Sequence, residues 1–352
     1  MDEGLARIDT LWVQKYRPRS FDQILNQDTV KALLRRIIAS KNLPNLFLSG
    51  PAGTGKSSTA EVVARELFGD GWEGNFTEIN ASNVFEQGRK YLKASRTLAR
   101  FYDERRSVLD NFKRITNQIA GIAPLAAPYR VLFINEAEAL TFDAQQALRR
   151  IIERYNRTCK FILATERPSR VIIPIRSRCL PLHFTQFSVS ILLSYLRWIA
   201  ASEGYQLSDE LGRSIIQLCD KNLQKALTVL QLVAKGGTDS AGSLELEKVR
   251  DSIRPHEVLT LLQLACEDKP VKSKELLDRL LLDTGLSGSE ILAQARADAR
   301  RLPLDDEARA KLLVILSKAD YLLIDSLNDR IQLEALIYEI ASNIRRVATA
   351  SD

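Results

Sequence analysis

Apolar residues come in two rhythms along this chain. In the first half, short, mainly apolar runs alternate with stretches where apolar positions recur every three or four residues. The runs are Leu46–Ser49, 76–79, 131–134, 161–164 and 180–184. Apolar runs of this length suit buried strands. Their alternation with helical patterns predicts an α/β fold with a parallel five-stranded sheet covered by helices. Ala144, Ala147, Leu148, Ile151, Ile152 and Tyr155 follow the i, i+3, i+4, i+7 stripe of an amphipathic helix over 143–155. Arg149, Arg150, Glu153 and Arg154 fall off that stripe.

After about residue 186 the strand runs stop and only helical spacing continues. The stretch 235–242, KGGTDSAG, reads as a turn or linker. From about 253 to 347 the pattern is helical, with Pro270, Gly285 and Pro303 as breaks and an apolar stripe through 308–344. The organisation expected is therefore a nucleotide-binding core over 1–186, a helical lid over 187–250 and an all-α module over 251–352 used for packing or assembly.

Composition narrows the function classes. Hydrophobic residues make up 45% and charged residues 27%, the balance of a globular protein in water. No apolar run approaches the ~18 residues that span a bilayer, so no membrane partner is expected. The residues 1–30 carry no secretory leader pattern, which points to a soluble intracellular protein. Cys159, Cys179, Cys219 and Cys266 lack metal-site spacing, and with only two histidines they read as reduced core thiols. The formal net charge of +6 permits a polyanionic partner. Much of the excess lies in 84–118, where nine basic residues, Arg89 and Lys90 among them, face four acidic ones for a net +5. Such a segment is either a solvated helical face or a surface that follows a phosphate backbone.

The densest chemistry is Gly50-Pro51-Ala52-Gly53-Thr54-Gly55-Lys56-Ser57, a GxxxxGK[ST] loop between a strand and a helical stretch. Its glycines let successive backbone N–H groups point inward at phosphate oxygens, and the following helix adds partial positive charge there. Lys56 would reach the terminal phosphates of a nucleotide, and Ser57 would offer its hydroxyl to Mg²⁺. A purely structural glycine turn explains neither the lysine nor the serine. Further on, the 131–134 run ends in Asn135-Glu136-Ala137-Glu138, at the position where a P-loop nucleotidase usually carries the acidic group that holds its metal and orients water.

Taken with the P-loop, Trp12-Val13-Gln14-Lys15-Tyr16-Arg17-Pro18, Asn80-Ala81-Ser82, Gln145-Gln146-Ala147-Leu148-Arg149-Arg150 and Ser177-Arg178-Cys179 resemble the small subunits of replication factor C, the AAA+ sliding-clamp loader of archaea and eukaryotes. The resemblance runs through nearly all of the first 235 residues and is weaker beyond them. It implies an AAA+ core, a helical lid and a C-terminal collar, in a subunit of a five-membered ATP-dependent complex. It also implies a cytoplasmic protein of an archaeon or a nuclear one of a eukaryote. Implied partners are the large and other small subunits, a ring-shaped PCNA-type sliding clamp and primer–template double-stranded DNA. Implied cofactors are ATP or ADP, and Mg²⁺.

Site residues follow position by position. The segment 13–18, with Val13 and Arg17, would border the adenine. Gly50, Gly53, Thr54, Gly55, Lys56, Ser57 and Ser58 would hold the phosphates, and Ser57 with Asn135 the metal. Glu136 would orient water. Arg178 would be an arginine finger acting in trans on the neighbour's nucleotide, its guanidinium fork neutralising charge on the transferred phosphoryl group; the plainer alternative is a surface arginine. Arg149 and Arg150, and in the basic segment Arg89 and Lys90, would face DNA; the alternative for each is a solvated face, or for the segment a contact with a neighbouring subunit.

Three positions leave the family pattern, and all concern hydrolysis. Asn135 stands where the family has the aspartate of DEAD, so it brings no negative charge to a hard cation. Glu166 replaces a sensor asparagine and would repel a γ-phosphate unless it turned away or paired with Arg167. Gln224 replaces the sensor arginine of the lid, and Lys225 beside it points ~100° away on a helix. Each loss costs on the order of a hundredfold if it removes a transition-state contact. The sequence thus predicts a subunit that binds nucleotide and turns it over slowly. The competing expectation is an autonomous AAA+ motor that hydrolyses ATP through Glu136, and a scaffold without nucleotide is disfavoured by the intact P-loop.

Overall fold

The computed structural model describes residues 11–95, 97–235, 256–282, 286–324 and 328–348. Arg96, Gly285, nearly all of the linker expected at 235–242, and the boundary expected at 250/251 lie outside these residues. The chain separates into two compact units, Met1–Asp239 and Ser240–Asp352.

The first unit is built on a parallel sheet of five strands. These are β1 (Leu46–Ser49), β2 (Phe76–Asn80), β3 (Arg130–Asn135), β4 (Cys159–Thr165) and β5 (Leu180–His183). They lie side by side in the order β2-β3-β4-β1-β5. Each expected strand is present, and β2, β3 and β4 extend one or two residues beyond the apolar run. The extensions matter, because β2 and β3 end on polar residues in register, Asn80 opposite Asn135.

Strand residues alternate between two cores, because successive side chains leave a strand on opposite faces. Phe47, Ile79, Leu132, Ile134, Phe161 and Leu163 join the helices Val108–Gly121 and Phe142–Tyr155 on one side. Leu46, Leu48, Val131, Phe133, Ile162 and Ala164 join the helices Asp28–Ala39 and Lys56–Phe68 on the other. The result is a three-layer α/β/α sandwich. In the helix Phe142–Tyr155, Ala144, Leu148, Ile151 and Ile152 are buried as the stripe predicts, while Ala147 and Tyr155 are half-buried. Its N-terminus is capped by Thr141, whose hydroxyl accepts from the Ala144 N–H at 3.3 Å. Helices Val189–Ser202 and Asp209–Leu218, capped by Ser188 and Ser208, and helix Leu223–Lys235 complete this unit.

The described elements of the second unit are all helices, and it has its own apolar core. Its helices are His256–Cys266, Pro270–Leu282, Gly288–Asp298, Asp306–Ile324 and Asp329–Ala348. Pro270 starts a helix, as a residue without an N–H donor does at little cost. Pro303 lies between helices. No helix among the described residues is long and apolar enough to cross a membrane.

Candidate functional site

The P-loop leaves the C-terminal end of β1 and runs into helix Lys56–Phe68 at the mouth of a cleft of about 450 Å³. Gly50 must be glycine: its φ is +148°, and a Cβ there would meet the Phe184 carbonyl oxygen at 2.3 Å. Gly53, at φ +69°, would collide at 2.2 Å with Asn222 Oδ1 of the helical segment that closes over the loop. Lys56 Nζ donates to the carbonyls of Gly50 and Pro51, each at 2.7 Å. The Thr54 hydroxyl donates to Pro51 O at 2.8 Å. Burial pulls the Lys56 ammonium below its ordinary range, and the carboxylates of Glu166, Glu138 and Glu136 oppose that pull. An ammonium held among backbone carbonyls and facing carboxylates is ready for an anion that brings its own charge.

Gly53, Thr54, Gly55, Lys56, Ser57 and Ser58 all line the cleft, whereas Gly50 contributes its carbonyl from just outside it. Val13 and Arg17 line the far end. Arg17 is held there by Glu61 at 2.6 Å, a carboxylate buried on helix Lys56–Phe68. The N-terminal segment is tied down by the Trp12 N–H, which donates to Gln231 Oε1 at 2.9 Å, and by the Tyr16 hydroxyl, which donates to Glu203 at 2.5 Å. Burial, with Glu203 adding to it, pushes the Tyr16 phenol up to about 12.

The other end of the cleft is made by the ends of β2, β3 and β4. Ser57 Oγ donates to Asn135 Oδ1 at 3.3 Å, and Asn135 Nδ2 donates to Glu78 Oε1 at 3.4 Å. Glu136 sits just past β3 at φ +54°, a left-handed conformation that non-glycine residues adopt at a cost. Its Oε1 accepts from Asn80 Nδ2 at 2.9 Å. The Ser57 hydroxyl, the Asn135 carbonyl and the Glu136 and Glu78 carboxylates thus offer oxygen alone. That donor set fits a hard, largely hydrated divalent cation such as Mg²⁺. Beside it, Glu166 donates its N–H to Glu138 Oε1 at 3.0 Å, and Glu138 Oε2 is buried without a partner among the described residues. Glu166 and Gln224 both line the cleft, and Lys225 does not. No ion pair joins Glu166 to Arg167 among the described residues, and the Glu166 carboxylate acts on Lys56 across the cleft.

The family profile "ATPase family associated with various cellular activities (AAA)" matches residues 46–185, and that of the replication factor C C-terminal domain matches residues 253–339. The chain is 35% identical over 328 residues to the replication factor C small subunit of Archaeoglobus fulgidus, covering 93% of this chain and 96% of that one. It is 33% identical over 344 residues to small subunit 1 of Pyrobaculum aerophilum, covering 97% and 98%. The chain belongs to the replication factor C small-subunit family. Among solved structures, two variants of Thermotoga maritima RuvB align with TM-scores of 0.53 and 0.54 at 19% and 18% identity. The first alignment covers 83% of this chain and 93% of the RuvB chain, and the second 83% and 94%, a likeness of fold alone.

The remaining candidates of this replication factor C chain lie outside the cleft. Arg178 does not line it. Its guanidinium pairs with Glu153 of helix Phe142–Tyr155 at 2.5 Å and donates to Pro174 O at 2.7 Å. Arg150 is exposed in a shallow depression with Lys113 and Arg154, while Arg149 is half-buried and its Nε has no partner among the described residues. Arg89 and Lys90 are exposed on the helix Arg89–Ala94. The basic segment is less open than its charge count suggests, because its acids and bases find each other. Lys93 pairs with Glu104, Arg106 and Arg114 with Asp103, and Lys113 with Asp110. Arg89, Lys90, Arg100 and Arg105 make no ion pair among the described residues.

Sequence reasoning missed Glu78, Asn80 and Glu153 as partners of site residues. Asn80 was visible only as part of a family motif, and nothing in the residue order announces that β2 lies beside β3. Gln145 was read as motif alone, yet it is buried and knits three backbones, donating to Leu140 O and Arg170 O and accepting from the Ile172 N–H.

Proposed function

We propose that this chain is a clamp-loader small subunit that holds ATP or ADP in its own cleft, turns it over slowly, and serves hydrolysis in the neighbouring subunit through Arg178. The single observation that carries the reading is the contrast inside one cleft. The P-loop is complete and pre-formed, while an amide at Asn135, a carboxylate at Glu166 and a neutral Gln224 stand at the other end. Val13 and Arg17 border the adenine, residues 53–58 with Gly50 hold the phosphates, and Ser57 and Asn135 face the metal. When bound, Mg²⁺ neutralises charge on the phosphate oxygens. Glu136, gripped by Asn80, orients water only after that bond opens.

Within the complex, residues 1–186 serve as the nucleotide-binding core, 187–250 as the lid and 251–352 as the collar that holds the assembly. The substrate of the assembly is a PCNA-type sliding clamp, loaded onto primer–template duplex, with the large and other small subunits as partners. Arg150 and Arg149 on the central helix, with Arg89 and Lys90, follow the duplex backbone. The exposure of Arg150 beside Lys113 and Arg154 supports this.

The test is steady-state ATP hydrolysis by the assembled complex carrying Arg178→Ala in this chain, set beside the complex carrying Glu136→Gln. Arg178→Ala is expected to cut turnover of the served site on the order of a hundredfold or more, and Glu136→Gln to leave total turnover nearly unchanged. The opposite pattern, Glu136→Gln cutting as deeply, makes the chain a motor in its own right and sinks the proposal.

A further inference from the structure

An aspartate at position 135 would present oxygen to a cation whichever way it turned. Asn135 has one oxygen and one NH₂, and a flip about its last bond would aim two N–H donors at the metal position. Something must therefore choose the orientation. Two donors converge on Oδ1: the Ser57 hydroxyl at 3.3 Å and the Glu136 N–H at 3.2 Å. Nδ2 is thereby turned toward β2, where Glu78 Oε1 accepts from it at 3.4 Å.

Glu78 and Asn80 are two residues apart on β2 and so share one face of the strand. They hold adjacent residues of the neighbouring chain segment, Glu78 the amide of Asn135 and Asn80 the carboxylate of Glu136. Glu78 also lines the cleft itself.

We propose that Glu78 is the positioning residue of the metal end of the cleft: it fixes the Asn135 oxygen toward Ser57 and supplies the negative charge that the amide lacks. The pair Glu78–Asn135 is then a carboxylate and an amide divided between two strands, doing together what one carboxylate on β3 does alone. This inference rests on the reading of the cleft as a nucleotide site. The experiment below keeps the two apart.

The purified full-length chain is titrated with a fluorescent ADP analogue in EDTA and again at rising Mg²⁺, with Mn²⁺ binding followed by electron paramagnetic resonance. Three proteins are compared: wild type, Glu78→Gln, and the reversed pair Glu78→Gln/Asn135→Asp. Wild type is expected to bind the analogue in EDTA and more tightly with Mg²⁺. Glu78→Gln should keep its affinity in EDTA but need about tenfold more Mg²⁺ or Mn²⁺ for half its effect, the size seen for residues that orient metal ligands. The reversed pair, which again holds one carboxylate and one amide, should recover most of that loss. An unchanged metal requirement in Glu78→Gln overturns the proposal. So does an equal loss in EDTA and in Mg²⁺ that the reversed pair fails to repair, because that is damage to the fold. Failure of wild type to bind the analogue in either condition overturns the nucleotide reading, and the proposal with it.

Discussion

The two ends of the cleft are made in different ways. The P-loop end comes from one continuous loop, residues 50–58, in which the carbonyls of Gly50 and Pro51 hold Lys56. The metal end is gathered from Glu78, Asn135, Glu136, Glu138 and Glu166 at the ends of three strands, with Gln224 from a helix. A backbone cradle tolerates few substitutions, since Gly50 and Gly53 have no room for a Cβ and Gly55 sits at φ +94°. A side-chain cluster changes one residue at a time while its sheet stays intact. A complete P-loop beside an amide at Asn135, a carboxylate at Glu166 and a neutral Gln224 is what those two constructions allow.

Four substitutions sharpen or break this comparison. Gly50→Ala should do the most damage, because its Cβ would overlap the Phe184 carbonyl and its φ is unsuited to a side chain. A loss of ~3 kcal/mol or more in chemical denaturation is expected. A loss below ~1 kcal/mol would mean that the loop yields, and the rigid cradle would be the wrong picture. Next comes Lys56→Ala, which should weaken a fluorescent ATP analogue by roughly a hundredfold through loss of charge-assisted bonds. Equal affinity would leave the P-loop without its assigned ligand.

Asn135→Asp restores an anionic group at the end of β3. Single-turnover hydrolysis at this chain's own site should rise by about tenfold. No rise would move the block to Glu166 and Gln224, the other two departures. The smallest effect belongs to Glu78→Gln in EDTA. The Glu78 carboxyl is raised above its ordinary range, so folding favours its protonated form. The penalty is absent below the ordinary glutamate pKa of ~4.3 and grows as pH rises through the folded value. Glu78→Gln should therefore raise the melting temperature by about 1–3 °C at pH 7, with the gap closing toward pH 4. A gap that widens on acidification would reverse the assigned sign.

The sheet and its covering helices were legible because buried strands read as apolar runs, and the run at 131–134 needed no partner to be recognised. The P-loop was legible for a related reason: its function lies in consecutive residues. The metal end was legible only in part. Asn135 and Glu136 stand out where an apolar run stops, but Glu78 looks like the single charged residue of an ordinary strand. Only the pairing of β2 with β3 reveals what it touches. The basic segment was legible only as a charge count. Counting charge over 84–118 ignored that Asp103 lies within reach of both Arg106 and Arg114. Arg178 likewise looked free in sequence, while the fold gives it Glu153.

The position of β1 has a consequence for how the protein is made. β1 lies between β4 and β5, and Leu46 pairs with Ile162 on one side and Leu180 on the other. As the chain leaves the ribosome, the strand that carries the P-loop finds no neighbour in the sheet until those residues have emerged. At ~5–20 residues per second that wait lasts several seconds or more. Through it, Leu46, Phe47 and Leu48, which end fully buried, remain open to water and to other nascent chains. A pause in synthesis before residue 165, where β4 ends, would lengthen that exposure.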